Sequence, residues 1–258
     1  HAAEGRRWGE LIAAMGEPRP MCRPTVGPYV ETTAPEFAAG VSALRLSQAA
    51  YPAHTAIAPE IENYPHTRFT KSAAFVCADL DMAQLCGIPD MTFAVYRSSG
   101  RLDLETGRED VWSGRLRAVK PRLQAIADLG ITRDQARGVS LFWHEETCRH
   151  VRGVAAESKP IFLYRERPWD QALPLLGLAI RHGVGDITAF AGEQIAALTD
   201  EELRACFSRG VLLDARAAET LLLRGRGEWA GLTARLPDVA ASMERIEDGA
   251  FGGQAGDF

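Results

Sequence analysis

The stretch TAIAPEIENYPHTRFTKS, from Thr55 to Ser72, is the most informative part of this sequence. A short apolar run ends abruptly in two carboxylates, Glu60 and Glu62, and a polar, aromatic and basic segment follows. A helical pattern then begins near Thr70. This order predicts a strand, a polar loop and a helix. In α/β folds, the side chains that act on ligands project from the carboxyl ends of strands.

Glu60 and Glu62 are two residues apart, and alternate side chains of an extended strand point to the same side. His66 and Arg68 follow within the same loop. The pattern therefore predicts a functional site at this strand end. A solvated acidic pair or a helix-capping contact is the alternative for the glutamates, and Arg68 fits the start of a surface helix equally well.

Composition limits the class of protein. The chain has 258 residues, which is enough for one large domain or two ordinary ones. Of these residues 46% are hydrophobic and 24% are charged, as is typical of a soluble globular protein. A net charge of -5 without a basic run argues against nucleic acid or an anionic membrane as a partner. No apolar stretch approaches the roughly 20 residues that cross a bilayer. Five scattered cysteines without a CxxC pair predict free thiols and a cytoplasmic protein.

Apolar runs of strand length alternate with helical patterns along the chain, which predicts an α/β fold with parallel strands. The predicted strands are Pro20–Val26, Thr55–Ile61, Met91–Tyr96, Val139–Trp143, Asp186–Ala191 and Gly210–Asp214. The predicted helices are Glu4–Met15, Thr33–Gln48, Thr70–Leu85, Val111–Leu129, Trp169–His182, Asp200–Phe207 and Ala215–Leu223. We expect one domain over residues 1–134, a second over 135–248, and a disordered or truncated tail over 249–258.

Two segments resemble a known family. The sequence EIENYPHTRFTKS, from Glu60 to Ser72, resembles a late barrel segment of bacterial glycoside hydrolases akin to family 42 β-galactosidases. The segment GVGDIT at Gly183–Thr188, followed by DEELRACFSRGVLLDARAAETLLLRGRGEWAG at Asp200–Gly231, resembles the domain after that barrel. In the family this second domain is amidotransferase-like and mediates trimerisation.

The resemblance implies that residues 1–134 form the C-terminal part of a (β/α)8 barrel, with a smaller flavodoxin/amidotransferase-like α/β domain after it. It also implies retaining hydrolysis of a β-galactoside-like bond, with a carbohydrate substrate and with neither a cofactor nor a metal. The partner would be further copies of the chain in a homo-oligomer, or a missing N-terminal part of the same enzyme.

The family's nucleophile lies at the end of the seventh barrel strand, which corresponds here to Glu60 or Glu62, with Glu60 preferred. A retaining enzyme also needs a second carboxylate across the sugar, which acts as acid and base. In the family this residue lies at the end of the fourth strand, which would precede His1. The chain alone would then be inactive. The substrate-binding positions that we expect are Tyr29, Glu31, Asn63, His66, Arg68 and Tyr96.

Two other interpretations remain open. The chain could be a non-catalytic α/β module that binds a partner or assembles subunits. A cluster at His144, Cys148 and His150 contains residue types that bind zinc or form a nucleophile pair. Its spacing matches no standard zinc pattern and no glycine turn precedes the cysteine, so we expect a structural role there.

Overall fold

The computed structural model describes residues 7–16, 20–24, 28–31, 34–64, 70–94, 111–147, 168–233, 245–246 and 253–254. Parallel strands alternate with helices, which confirms the α/β class. The helices are α1 Trp8–Met15, α2 Ala34–Ala50, α3 Ala73–Leu85, α4 Val111–Asp128, α5 Trp169–Leu175, α6 Asp200–Phe207 and α7 Ala215–Leu223. The strands are β1 Met21–Cys22, β2 Ala56–Ile57, β3 Glu60–Glu62, β4 Thr92–Ala94, β5 Val139–Leu141, β6 Ile180–His182, β7 Ile187–Phe190, β8 Gly210–Leu213, β9 Arg245–Ile246 and β10 Gly253–Gln254.

In the first half of the chain, extended segments pair in parallel in the order in which they occur. β1 pairs with β2, and β3 pairs with β4. The β1 contact continues onto β3, because the Glu60 amide donates to the Pro24 carbonyl at 3.1 Å. Pro59 divides β2 from β3 because it has no N–H, but its carbonyl still accepts the Thr92 amide at 3.0 Å. The predicted strand Thr55–Ile61 is therefore one extended run that proline interrupts.

The helices α2 and α3 connect these strands and bury one face of them. Ile57 packs with Leu44 of α2 and Met82 of α3, and Ile61 packs with Leu80 of α3. The helix α3 begins three residues after the predicted Thr70, because the Ser72 hydroxyl accepts the Phe75 amide and caps it.

The second half contains a four-stranded parallel sheet with the order β6-β5-β7-β8. Its core includes Phe142, Phe190, Leu203 and Leu221, which come from the sheet and from α6 and α7. The helix α6 begins where the sequence predicts, because Thr199 and Glu202 form a reciprocal capping box.

The predicted helix Trp169–His182 is wrong in its second half. The helix α5 ends at Leu175, and Ile180–His182 forms the edge strand β6. Gly177 causes the break: its φ of 75° lies in the left-handed region. The Leu178 amide donates to Leu173 O at 2.9 Å and the Gly177 amide to Pro174 O at 3.0 Å, which is a Schellman stop.

The two halves meet where α2 packs against α5 and β6. Within the described ranges, no helix combines the length and the apolar character that crossing a membrane requires.

Candidate functional site

The helices α2 and α3 cover one face of the strands β1–β4, and Glu60 and Glu62 lie on the opposite face. Between them, Ile61 points to the face that the helices cover and is buried with Val76, Leu80 and Val119. The Glu60 side chain is 14% exposed, and Glu62 is partly buried. The two glutamates therefore share one side of the strand, as the sequence predicts.

Two side chains hold the Glu60 carboxylate. Arg23 Nη1 lies 2.5 Å from Glu60 Oε1, and the Tyr29 hydroxyl lies 3.4 Å from Oε2 as its donor. Arg23 directly follows β1 and Tyr29 belongs to the segment after it, so the chain just beyond the neighbouring strand supplies both contacts. Together they fix the orientation of the carboxylate at the first residue of β3.

Lys71 connects the segments around this strand end. Its ammonium donates to the Pro28 carbonyl at 2.7 Å and to the Glu62 carbonyl at 3.2 Å, and it forms an ion pair with Asp79 of α3. The side chains of Lys71 and Asp79 are 1% and 3% exposed. Burial raises the pKa of Asp79 to about 6, although Lys71 acts in the opposite direction. One buried cation thus joins the segment after β1, the end of β3 and α3.

Glu31 contacts the start of α3. Its carboxylate accepts the Ser72 amide at 2.8 Å, and its own amide donates to Thr70 O at 3.1 Å. The hydrogen bond from Ser72 lowers the pKa of Glu31. This is the kind of contact that a helix N-terminus makes with an anion.

The remaining predicted positions divide into two groups. Asn63 directly follows β3 and is buried at 2% exposure, so it lies beside the glutamates in sequence and inside the protein. His66, Arg68 and Tyr96 lie outside the described residues, as do Cys148 and His150. In the part of the chain that is described, no three or more His, Cys, Asp or Glu side chains are grouped to hold a metal ion.

Sequence reasoning missed Arg23, because the signal that places it beside Glu60 depends on the strand register. Arg23 lies two residues after Met21, so on an extended backbone it faces the same side as Met21, and Met21 is paired in register with Ala56. Residues 56, 58 and 60 lie on that same side of the neighbouring extended run, so Glu60 and Arg23 share one side. The register of two parallel strands was needed before this relation could be seen.

A second polar cluster, also missed, contains Ser42, Asp170 and His182. The Ser42 hydroxyl donates to Asp170 Oδ2 at 2.7 Å and lies 2.9 Å from His182 Nε2. The residue types are those of a hydrolytic triad, but here the hydroxyl bridges the acid and the imidazole, whereas in a triad the imidazole is central. Ser42 is inside α2 with no exposed surface. We interpret the cluster as the polar centre of the contact between α2, α5 and β6.

Comparison with known proteins gives no match: no family model, no curated protein and no solved structure is significantly similar to this chain. The geometry around Glu60 and the resemblance of the sequence segments are therefore the grounds for a functional proposal.

Proposed function

We propose that this chain is part of a retaining glycoside hydrolase, similar to family 42 β-galactosidases, in which Glu60 is the nucleophile. Residues 1–134 would supply the last three strand–helix units of a (β/α)8 barrel, and residues 135–248 a flavodoxin/amidotransferase-like domain. The observation that carries this proposal is the position of Glu60: it begins β3 on the open face of parallel strands, its side chain is only 14% exposed, and Arg23 and Tyr29 hold it.

The strand arrangement supports the barrel. In a (β/α)8 barrel, consecutive strands are parallel neighbours and each is followed by a helix on the outside. The order β1, β2–β3, β4 with α2, α3 and α4 after them has this pattern. In the described residues β1 and β4 pair on one side only, so further strands could extend the sheet. The order β6-β5-β7-β8 is likewise the start of the flavodoxin-like order 2-1-3-4-5.

The chemistry needs two carboxylates on opposite sides of the sugar, about 5–5.5 Å apart. Glu60 would attack the anomeric carbon and displace the aglycone oxygen, which takes a proton from the acid/base residue. Water would then release the sugar from Glu60 with the same residue acting as base. Glu62 lies two positions along the same strand, roughly 6.6 Å away, and on the same side, so it cannot supply the opposite carboxylate. We assign the acid/base to a segment upstream of His1.

The surrounding residues would bind the sugar. Tyr29 and Glu62 lie next to the nucleophile, and an aromatic ring and a carboxylate suit the C–H face and the hydroxyls of a sugar. The other proposed contacts, which rest on the resemblance, come from Glu31, Asn63, His66, Arg68 and Tyr96. A β-galactoside-like substrate also rests on the resemblance.

The test is covalent trapping in a protein that includes the upstream strands. A 2-deoxy-2-fluoro-galactoside with an activated leaving group should form a stable glycosyl-enzyme, and peptide mass spectrometry should find the sugar on Glu60. Glu60→Gln should lower turnover of an aryl galactoside by about 10³-fold or more and abolish labelling.

Glu62→Gln is the matched control, because it makes the same change on the same face of the same strand. This variant should still be labelled. Label on Glu62, or full activity of Glu60→Gln, would overturn the assignment of the nucleophile.

A second candidate function, subunit assembly without catalysis, is favoured by exposed apolar side chains in the second half. Leu176 is 74% and Leu223 is 80% exposed. Sedimentation of the wild type and of a Leu176→Gln, Leu223→Gln variant tests this candidate, since assembly through these side chains would be weakened in the variant.

A cytoplasmic location is part of the proposal. Cys22, Cys77, Cys86 and Cys206 are free thiols, and burial raises the pKa of each of them. Thiols kept in the neutral form are poorly reactive, which fits a reducing compartment.

A further inference from the structure

A polar cleft of about 330 Å³ lies where the two halves of the chain meet. Arg45 and Gln48 of α2 line one side of it, and Arg133 and Asp134 of the connecting segment line another. Arg181 and His182 of β6 complete it. This volume is at the lower end of the range of small-molecule sites, and such sites occur preferentially where structural units meet.

The three arginines that line the cleft are held by neutral acceptors. Arg45 Nη1 donates to Cys86 O and to Gln48 Oε1, both at 3.0 Å. Arg133 Nη1 donates to Tyr51 O at 3.3 Å. Arg181 Nη2 lies 3.4 Å from Val184 O.

In the described part of the chain none of these three arginines forms an ion pair, whereas Arg23, Arg122, Arg216, Arg224 and Arg226 do. A guanidinium carries five N–H donors, and these contacts use two at Arg45 and one each at Arg133 and Arg181. Donors on each group therefore remain for a ligand, while the existing bonds restrain the side chains.

The charges of the cleft favour an anion. Three arginines face one carboxylate, that of Asp134. The carboxyl-terminal ends of α2 and α3 add partial negative charge, roughly half an elementary charge each, through the Tyr51 and Cys86 carbonyls. The balance is about one positive charge in a partly enclosed space. A guanidinium group can donate two parallel N–H bonds to two oxygens of one phosphate group. A phosphate group is therefore the anion that fits this set of arginines best.

The cleft is separate from the site around Glu60. Cys86 and Tyr51 follow the last residues of α3 and α2, and crossover helices run antiparallel to the strands they connect. The cleft therefore lies towards the amino ends of β2 and β4, and its lining contains neither Glu60 nor the two side chains that hold it, Arg23 and Tyr29.

We infer that this cleft binds the phosphate group of a small molecule, and that the ligand bridges the two halves of the chain. The inference is independent of the proposed hydrolase activity, because it uses none of the residues around Glu60. Two kinds of ligand carry this group: inorganic phosphate, and a phosphate monoester such as a sugar phosphate. The cleft would bind the phosphate dianion in either case.

Isothermal titration calorimetry of the full chain with inorganic phosphate, at constant ionic strength set with sodium chloride, tests the inference. Glucose 6-phosphate is titrated in parallel. We expect saturable binding of inorganic phosphate. If a monoester is the preferred form, glucose 6-phosphate should bind with a tenfold or larger gain in affinity over inorganic phosphate. Equal affinities would identify free phosphate as the ligand, which also supports the site.

Arg181→Gln and Arg133→Gln should each raise the dissociation constant at least tenfold. Arg117→Gln is the matched control, because it removes the same charge from an exposed position of α4 outside the cleft. A thermal melt of each variant without phosphate checks that it is folded. The inference is overturned if 10 mM phosphate gives no saturable signal, or if the cleft variants bind as the control does.

Discussion

Replacing Lys71 by methionine tests whether the buried cation holds the strand end together. The Lys71→Met variant keeps the apolar length of the side chain and removes the charge. It leaves the Asp79 carboxylate buried without its counter-ion, and it leaves the Pro28 and Glu62 carbonyls without this donor. Breaking a buried pair by removing one partner costs about 3–5 kcal/mol. That is a large share of the roughly 5–15 kcal/mol by which domains are stable.

The loss should depend on pH in a defined direction. A carboxyl whose pKa is raised by folding stabilises the folded state at low pH and loses that contribution as pH rises to the folded pKa. In the wild type this loss ends near pH 6, the pKa of Asp79. Without Lys71 the pKa of Asp79 is higher, so the loss continues to pH 7. The variant's deficit should therefore widen by about 1 kcal/mol between pH 6 and pH 7.

Urea denaturation at pH 5, 6 and 7 measures both effects through the free energy of unfolding. Arg122→Met is the matched control, because it breaks an ion pair with Asp81, which lies on α3 as Asp79 does. Arg122 is 56% exposed, and pairs of this kind contribute about 0–1 kcal/mol. The double variant Lys71→Met, Asp79→Leu should recover at least half of the loss, because no buried charge remains. If Lys71→Met costs no more than Arg122→Met, the buried pair does not organise this site.

Two further predictions concern backbone fit and titration. Gly138 has a φ of 120°, and a Cβ there would lie 2.0 Å from Ala179 O, so Gly138→Ala should unfold or strongly destabilise the four-stranded sheet. Gly177→Ala is the control, because Gly177 has a φ of 75° but nothing within 4 Å of an added Cβ. In thermal unfolding, Gly177→Ala should lower the free energy of unfolding by only about 1–2 kcal/mol. The carboxyl carbon of Asp79 should titrate by NMR near pH 6, well above the usual value near 4, and a midpoint at or below 4 would show that the carboxylate is not desolvated.

The sequence determined the elements with strong local signals. The Thr199–Glu202 capping box and the apolar spacing of α4 depend on neighbours within one or two turns, so they could be read without tertiary information. The alternation of Glu60, Ile61 and Glu62 also follows from the two-residue period of a strand. The boundary of α5 was missed because the apolar run after Leu175 fits a helix and a buried strand equally well, and the left-handed turn at Gly177 decides between them.

Only the tertiary structure brought distant charges together. Arg23 meets Glu60 because two parallel strands pair in one register, and Ser42 meets Asp170 and His182 across 128 and 140 residues of chain. The arginine cleft likewise needs α2, the connecting segment and β6 in contact. Such contacts have no local signature, because their free energy comes from desolvation and hydrogen bonding between segments that the chain order does not place side by side.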